Sequence, residues 1–285
     1  MTVLPPTAFG LGPLPGTNFA QAADVVLSES PLPHVPQLPD RGVGSDLIGR
    51  TAAMLEIPVA RGPRGWRVAV RASKDADRME RDLDQLEELW HGKTDTVKVQ
   101  LAGPFTLAAE IEMSNGHRMI TDPGALRDLT DALLEVSEGH RRDVEKRFGA
   151  SVLQLDEPRL PEVVAGTLKG ATDFETIRAI PEPEETLARF GEHLLHTPIL
   201  LDVPWFTTDP RRADNDGLAR LLDSGARIAI PAMQPRELYN VFDQLQIDPA
   251  ATTVDVYAQP AATLVGTAAN YRAAREMAEA LIVGL

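Results

Sequence analysis

The sequence predicts an α/β protein, and the α/β fold that suits it best is a (β/α)₈ barrel of the TIM type. Three observations predict this fold. Short apolar runs alternate with amphipathic segments along most of the chain, as expected of a parallel sheet with helical crossovers. Several runs end abruptly at a glycine, a proline or an acidic residue. The length of 285 residues suits one barrel, so residues 1–285 are expected to form a single domain.

Eight apolar runs are the candidate strands of this barrel. The first run precedes a glycine-proline turn, and the run at residues 177–180 is weak and is needed only to complete the count. In chain order, the predicted strands cover residues 8–11, 66–70, 97–101, 151–155, 177–180, 199–203, 226–230 and 253–257.

Amphipathic segments between these runs are the candidate helices. Apolar side chains recur at helical spacing from Met79 to Leu89 and predict a helix over residues 75–90. A polar pair ending in Asp122 predicts the start of a long helix, because a carboxylate can accept hydrogen bonds from the first free N–H groups. The predicted helices cover residues 75–90, 123–148, 184–195, 214–222, 235–245 and 268–283.

The composition predicts a cytoplasmic protein whose partner is a small molecule. The formal net charge is −14 and the pI is about 4.9, which disfavours binding to nucleic acid or to an anionic membrane. No apolar run is long enough to span a bilayer, and the N-terminus lacks the pattern of a signal peptide. The chain contains no cysteine, so it can supply neither a disulfide nor a thiolate ligand to a metal.

The run V-L-Q-L-D-E-P-R-L-P, which starts at Val152, is the most informative motif. Its apolar part ends in two adjacent carboxylates, Asp156 and Glu157, followed by a proline. Acidic residues at the carboxyl end of a buried parallel strand face the region where α/β proteins bind ligands. These residues are therefore candidate substrate-binding residues. The alternative is a structural pair that caps the next helix and forms a salt bridge with Arg159.

Two further strand ends carry glycine-proline turns, L-G-P-L-P-G-T from Leu11 and V-K-V-Q-L-A-G-P-F-T-L-A from Val97. Glycine lets the backbone approach a ligand closely, and a glycine-proline pair before a helix leaves helix N–H groups free to meet an anion or a carboxylate. Gly12 is accordingly a candidate substrate-binding residue. Each turn alone is a weak signal, because glycine-proline pairs occur in many loops.

Together and in this order, the three strand ends resemble the catalytic barrel of cobalamin-independent methionine synthases, within the superfamily that includes uroporphyrinogen decarboxylase. The segment P-H-V-P-Q-L-P-D-R-G-V-G-S-D-L-I-G-R, from Pro33, is similar to short, single-barrel actinobacterial members. The likeness covers nearly the whole chain and is strongest from Gly10 to Pro161. It implies a methyltransferase of methionine biosynthesis that moves a methyl group from a methylated folate to homocysteine, with zinc activating the thiol. It also implies that Asp156 helps to hold the substrate ammonium.

The zinc ligands that the resemblance implies are a His-x-Cys pair, a glutamate on the next strand and a cysteine in a P-x-C-G-L turn. The turn reads Q-P-A-A-T-L-V-G here, with Ala262 at the position of the cysteine. The His-x-Cys strand aligns best with residues 199–204, which places Asp202 and Pro204 at the ligand positions; a shift to residues 196–198 recovers His196 but no cysteine. The strand predicted to follow contains no glutamate. The sequence therefore predicts no metal site and no cofactor, and methylfolate would be a substrate only.

Two more departures from the family concern the fold and the pocket. Gly12-Pro13 replaces a glycine-serine turn, which removes a hydroxyl from the implied amino-acid pocket. The chain is also about one βα unit short between Leu195 and Val254, so the barrel is expected to have one unit shortened or lost. Asp202, at the end of a predicted strand, is the fourth candidate substrate-binding residue, and no catalytic residue is assigned.

Three functions stay open at this point. The first is a methionine-synthase-like protein without the zinc–thiolate route, which binds an amino acid or a pterin-like ligand. The second is a relative that binds a small ligand without catalysis. The third is a metal-independent enzyme of the uroporphyrinogen-decarboxylase type, which would need Arg41, Arg50 and Arg159 to hold substrate carboxylates. Separately, His193 and His196 are spaced i, i+3 on a predicted helix, where they are surface residues or a partial metal site.

Overall fold

The computed structural model describes residues 5–55, 57–70, 77–172 and 174–284. Its strands, numbered in chain order, are β1 (Ala8–Gly10), β2 (Val59–Gly62), β3 (Gly65–Val68), β4 (Thr96–Ala102), β5 (Ile111–Glu112), β6 (Ala150–Asp156), β7 (Leu194–His196), β8 (Trp205–Thr207), β9 (Arg227–Pro231) and β10 (Val254–Ala258). Its helices are α1 (Phe19–Glu29), α2 (Leu47–Met54), α3 (Arg78–Trp90), α4 (Pro104–Glu110), α5 (Pro123–Phe148), α6 (Leu160–Ala165), α7 (Pro183–Ala188), α8 (Asn215–Asp223), α9 (Pro235–Leu245) and α10 (Leu264–Gly284).

Seven of the strands form one curled parallel sheet that is flanked by helices. Its order is β1-β10-β9-β8-β7-β6-β4, and every neighbouring pair is parallel. The strands β2, β3 and β5 form a separate sheet of three. The α/β class predicted from the sequence is confirmed, since the sheet is parallel and crossovers carry helices.

The two edge strands of the large sheet, β1 and β4, both bond to an extended segment that begins at Leu32. On one side, Leu32 N donates to Ala8 O at 3.2 Å. On the other side, Lys98 N donates to Pro33 O at 2.8 Å and Val35 N donates to Lys98 O at 3.0 Å. The same segment therefore satisfies backbone groups of both edges, although it contains only isolated bridges and no regular strand.

The strands of the large sheet have two buried faces of different chemistry. On β4, Val97, Val99 and Leu101 belong to the large apolar core, whereas the alternate residues Lys98 and Gln100 are also buried. Because side chains alternate along a strand, the apolar residues and the polar residues lie on opposite faces. A second, smaller apolar cluster lies on the concave face; its members are Phe9, Leu11, Leu32, Val152, Leu194, Trp205, Ala229 and Tyr257.

The strand predicted at residues 199–203 is wrong. These residues form part of the loop 197–204 that connects β7 to β8. The run is apolar because Leu201 and Val203 pack on the large core, while Val203 N bonds back to Leu201 O at 2.9 Å in a local turn. Pro198 and Pro204 bracket the run, and proline has no N–H for a strand ladder.

Two other predictions in this region need correction. The helix predicted at 184–195 ends at Ala188, and its last residues belong to β7. No strand forms at 177–180, where Ile177 N instead bonds to Leu168 O at 2.8 Å. No helix separates β7 from β8 in the described loop 197–204, which lies within the region from Leu195 to Val254 where a shorter chain was predicted.

Most other predicted elements form, with shifted ends. The strand predicted at 66–70 is β3, but it pairs antiparallel with β2 in the small sheet and not in the large one. The start of α5 is confirmed, since the Asp122 side chain accepts from Gly124 N at 2.8 Å and from Ala125 N at 3.0 Å. The predicted first residues of the helix at 75–90 lie outside the described residues. Among the helices of the described residues, none is both long and apolar enough to cross a membrane.

Candidate functional site

The candidate site lies at the carboxyl ends of β6 and β7. Asp156 ends β6 and is paired in register with His196, which ends β7. Paired residues of parallel neighbours point to the same face of a sheet, and two positions before Asp156 the same face carries Gln154. Asp156 is 5 % exposed. The structure thus places a buried carboxylate beside an imidazole where parallel barrels bind ligands.

A buried hydrogen-bond chain leads from Asp156 to Lys98 on β4. Gln154 Nε2 donates to Asp156 Oδ1 at 2.7 Å and to Leu11 O at 2.8 Å. The Lys98 ammonium donates to Gln154 Oε1. Lys98 and Gln154 are both fully buried. The Gln154 bond is the only hydrogen bond to the Asp156 carboxylate within the described part of the chain, so the second carboxylate oxygen is left without a protein donor.

Burial and charge act in opposite directions on this pair. Burial lowers the pKa of Lys98, and the negative charge of Asp156 raises it again. Burial also raises the pKa of Asp156, while the hydrogen bond from Gln154 and the positive charges of Lys98 and Arg50 lower it. Each member of the pair therefore favours the ionised form of the other.

The chain of polar groups continues from Lys98 toward α10. With the Gln100 amide oriented to suit its neighbours, its oxygen lies 3.2 Å from His34 Nδ1 and 3.3 Å from Lys98 Nζ. The other nitrogen of that imidazole, Nε2, lies 2.8 Å from the Tyr271 hydroxyl. Burial and the charge of Lys98 hold the pKa of His34 well below its usual value, so this imidazole is neutral.

Glu157, next to Asp156, has a different role from the one its position suggested. Its carboxylate accepts from Phe105 N at 3.0 Å and from Thr106 N at 2.7 Å, which are free N–H groups of the first turn of α4. A Cβ at Gly103 would lie 2.2 Å from Glu157 Oε1, so only glycine allows this approach. Burial raises the pKa of Glu157 to about 7, although the N–H donors favour its ionised form. The free N–H groups of α4, which the glycine-proline pair was expected to leave for an anion or a carboxylate, are therefore bound by Glu157 of the protein itself.

Gly12 lies close to the same network. Its φ of +125° is in the region that only glycine adopts easily. Its carbonyl accepts from Gln37 N at 3.0 Å. The preceding residue, Leu11, accepts from Gln154, the residue that also binds Asp156. The structure therefore brings Gly12 and Asp156 to the same end of the sheet. The buried Gln37 Nε2 beside Gly12 has no partner within the described residues.

Asp202 does not join this group. It is exposed in the loop 197–204, three residues before β8 begins, and it lines a cavity of about 380 Å³ together with Glu184, Arg220 and Ser224. Since β8 and β6 are parallel, the amino end of β8 and the carboxyl end of β6, where Asp156 lies, are at opposite ends of the strands. The placement of Asp202 at a strand end was wrong because the strand itself does not form.

A cavity of about 630 Å³ opens beside His196 at the carboxyl ends of β7, β8 and β10. Its polar lining side chains are His196, Thr197, Thr207, Thr208, Asp209, Arg212, Asp214, Arg220, Tyr257 and Gln259. His196 Nδ1 lies 2.8 Å from the Thr207 hydroxyl, and its ring meets the Tyr257 ring edge to face at 6.3 Å. Burial and the charge of Lys98 lower the pKa of His196 to about 4. The lining therefore combines the neutral hydrogen-bonding groups of His196, Thr207 and Tyr257 with charged side chains from the loop and helix that follow β8.

The remaining candidates from the sequence have other partners. His193 does not share a helix with His196, and its Nδ1 lies 2.8 Å from Gly191 O. Arg41 pairs with Asp82 at 2.8 Å, and Arg159 lies 2.6 Å from Glu110. Among the described residues, no three histidine, aspartate or glutamate side chains are grouped closely enough to hold a metal ion.

Sequence reasoning missed most of the buried polar network. It did not identify Lys98, Gln100, Gln154 or Tyr257, and it noted His196 only as an alternative position in the implied zinc-ligand alignment and as a helix residue near His193. The signal was present in the strands themselves, where polar residues alternate with apolar ones in V-K-V-Q-L and V-L-Q-L-D. Such alternation usually marks one solvent-facing side of a sheet, but here the polar side is the concave face.

Comparison with known proteins does not assign the chain to a family. No protein-family model matches it, and no curated protein matches it. A function can therefore be proposed only from the arrangement of the site and from the sequence motifs.

Proposed function

We propose that this protein is a methionine-synthase-like barrel that binds a small amino acid or a pterin-like ligand at the carboxyl ends of β6, β7 and β10, without a zinc–thiolate centre. The observation that carries the proposal is the register pairing of Asp156 with His196. His196 lines a cavity of about 630 Å³, and Asp156 lies next to this histidine but not in the lining itself. Cavities of small-molecule sites usually have volumes of about 300–1,000 Å³.

A closed barrel is part of the proposal. The segment that begins at Leu32 bonds to β1 on one side and to β4 on the other, which supports an eighth position between the two edges of the seven-stranded sheet. With that segment counted, only the unit after β7 lacks a helix. In such barrels the ligand binds at the carboxyl ends of the strands, the end where Gly12 and Asp156 lie.

The chemistry of the site favours a ligand with a cationic group. Asp156 has one oxygen without a protein donor in the described residues, and a buried carboxylate pairs well with an ammonium. His196, Tyr257 and Gln259 offer neutral donors and acceptors for the rest of a polar molecule. An amino acid fits both requirements, and a pterin-like ring could stack against the aromatic side chains.

The residues present do not fit the zinc centre that the resemblance implies. That centre needs thiolates, and the chain has no cysteine. β7 ends at His196, so the shifted alignment is the better one, but Pro198 then stands at the second ligand position. The imidazole Nδ1 already has the Thr207 hydroxyl as a partner. We therefore derive no chemical step through zinc.

The decarboxylase alternative receives less support. It needs free cationic groups for substrate carboxylates, but Arg41 and Arg159 are paired with Asp82 and Glu110. Arg50 is buried and donates to a backbone carbonyl, Pro36 O, at 3.0 Å.

Calorimetric titration of the purified full chain with homocysteine, methionine and 5-methyltetrahydrofolate tests the proposal. We expect one site per chain for at least one of these ligands. Asp156→Asn should weaken the binding of an amino acid about tenfold or more, because a hydrogen bond between charged groups contributes about 1.5–3 kcal/mol. Asp128→Asn, on the exposed face of α5, is the matched control and should bind normally.

Methyl transfer to homocysteine is assayed on the same samples, with their zinc content measured. Turnover without zinc would identify an enzyme, and ligand binding without turnover would identify a binding relative; both agree with the proposed site. Stoichiometric zinc that is required for turnover would contradict the proposal, and so would the absence of binding for all three ligands.

A further inference from the structure

We propose that Lys98 is a positioning residue that keeps Asp156 ionised and correctly oriented, acting through the amide of Gln154. The inference rests on the proposed function, in which Asp156 receives a cationic group of the ligand. Lys98 itself lies deeper in the fold, two positions before Gln100, the residue paired in register with Gln154.

The orientation of the Gln154 amide does not depend on the two charges. Its Nε2 donates to Leu11 O at 2.8 Å, and a backbone carbonyl can only accept a hydrogen bond. The nitrogen end must therefore face Leu11, and its second hydrogen is directed at Asp156 Oδ1, 2.7 Å away. The oxygen end is left to accept from the Lys98 ammonium. A cation at one end of the amide and an anion at the other are the charge states that this arrangement favours.

Other charged groups around Asp156 do not replace Lys98. Arg50 on α2 also favours the ionised carboxylate, but it acts only through its charge. His196 on β7 has a pKa lowered to about 4 by burial and is neutral. His34, in the segment that joins the edges of the sheet, is neutral for the same reason. The neighbouring Glu157 has its own pKa raised to about 7, chiefly by burial and in part by the charge of Asp156.

Burial is the largest influence on the pKa of Asp156 and raises it to about 7, even with the opposing effects of Gln154, Lys98 and Arg50. These three groups therefore decide how much of the carboxyl is ionised near neutral pH. A protonated carboxyl does not form an ion pair with an ammonium. Lys98, acting through Gln154, thus increases the fraction of Asp156 that can attract a cation, although it does not touch the ligand. Its side chain is held over the Phe9 ring, with Nζ 5.3 Å from the ring centroid, so the ammonium has little freedom to turn away.

The pKa of Asp156 in the ligand-free protein tests this inference directly. It can be measured by NMR from the carboxyl ¹³C shift as a function of pH. Lys98→Met has a similar length without a charge, and we expect it to raise the pKa of Asp156 by about one unit or more. Gln154→Met removes the relay and leaves both charges, and it should shift the pKa in the same direction. Lys146→Met, at an exposed position of α5, makes the same change in net charge and should have no effect.

The pH profile of ligand binding separates positioning from a general loss of structure. In Lys98→Met, affinity for an amino acid should fall at pH 7 as the ionised fraction of Asp156 falls, approaching about tenfold for each unit by which the pKa rises above 7, and it should recover as the pH is raised. A merely structural defect would lower affinity at every pH. An unchanged pKa of Asp156 in folded Lys98→Met would refute the role of Lys98.

A measurement on the wild type covers the case in which the variants do not fold. The Asp156 carboxyl and the Lys98 side chain should then show shared inflections in their pH titrations, because each charge affects the other. Independent titration of the two groups would overturn the inference. If the wild type binds none of the ligands but the coupling is present, the proposed function fails while the assignment of Lys98 as the residue that sets the charge of Asp156 stands.

Discussion

Replacing Gly103 by alanine should strongly destabilise the fold, although the change adds only one methyl group. The new Cβ would lie 2.2 Å from Glu157 Oε1, 2.5 Å from its Cδ and 2.6 Å from its Cγ. A shift of a few tenths of an ångström cannot relieve three such contacts. The Glu157 side chain would therefore have to leave Phe105 N and Thr106 N, its two hydrogen-bond donors in α4.

The cost follows from those two bonds. A hydrogen bond to a charged group contributes about 1.5–3 kcal/mol, so their loss predicts a destabilisation of about 3 kcal/mol or more. Urea unfolding, followed by circular dichroism and by tryptophan fluorescence, measures this change. Gly139→Ala is the matched control, since nothing lies within 4 Å of its added Cβ in the exposed middle of α5; it should stabilise the protein by about 0.5–1 kcal/mol.

A double-mutant cycle makes the reasoning refutable. In a Glu157→Ala background the obstacle is gone, so adding Gly103→Ala should cost less than about 1 kcal/mol, because residues in contact are not additive. If Gly103→Ala alone lies within about 0.5 kcal/mol of the wild type, or if its cost is the same in both backgrounds, the contact between the two motifs does not hold this part of the fold together.

Two further predictions concern other buried ionisable groups. Asp255→Asn should destabilise the protein by about 3 kcal/mol in urea unfolding. Asp255 is fully buried and accepts two hydrogen bonds from Arg227, at 2.7 Å each, and one from Trp205 Nε1 at 2.9 Å. A destabilisation below about 1 kcal/mol would contradict this prediction. His140 has a pKa lowered to about 4, chiefly by burial, so below about pH 6.5 the unfolded imidazole binds a proton that the folded one does not. The free energy of unfolding should therefore fall as the pH drops from about 6.5 to 4, by up to about 3 kcal/mol more in the wild type than in His140→Gln. Urea unfolding of both proteins at the two pH values measures this difference, and an equal decrease in the two proteins would contradict the prediction.

The parts of the fold that the sequence predicts well are the long, regular ones. β4 and β6 are seven-residue strands that end at a glycine or an acidic pair, and α5 has both a strong N-cap and 26 residues of helical pattern. β7 and β8 have three residues each, which is too short for any periodic signal. The apolar loop between them was therefore mistaken for the strand, since local hydrophobicity does not distinguish a packed loop from a strand.

The candidate site was predictable only where it depended on those regular elements. Asp156 and Gly12 follow directly from strand ends that do form. Asp202 was placed wrongly because the strand predicted at residues 199–203 does not form. The role of Glu157 could not be inferred, because its donors are about fifty positions earlier in the chain. Lys98 was overlooked because a polar residue within an apolar run normally faces solvent, and only the curvature of the sheet turns that side inward.

The concave face of the sheet contains two buried carboxylates, and the difference between them separates structure from function. Asp255, near the amino end of β10, uses both oxygens, with Thr7 N, Arg227 and Trp205 as donors. A carboxylate satisfied in this way has no capacity for a ligand. Asp156 receives one bond, from Gln154, and its other oxygen lacks a donor in the described chain. Asp156 is not among the described residues that have a fully buried polar atom without a partner, so this second oxygen reaches solvent and is accessible to a ligand group. The apolar cluster of the concave face lies along the strands of the same sheet, in which Asp255 lies near the amino end of β10 and Asp156 at the carboxyl end of β6.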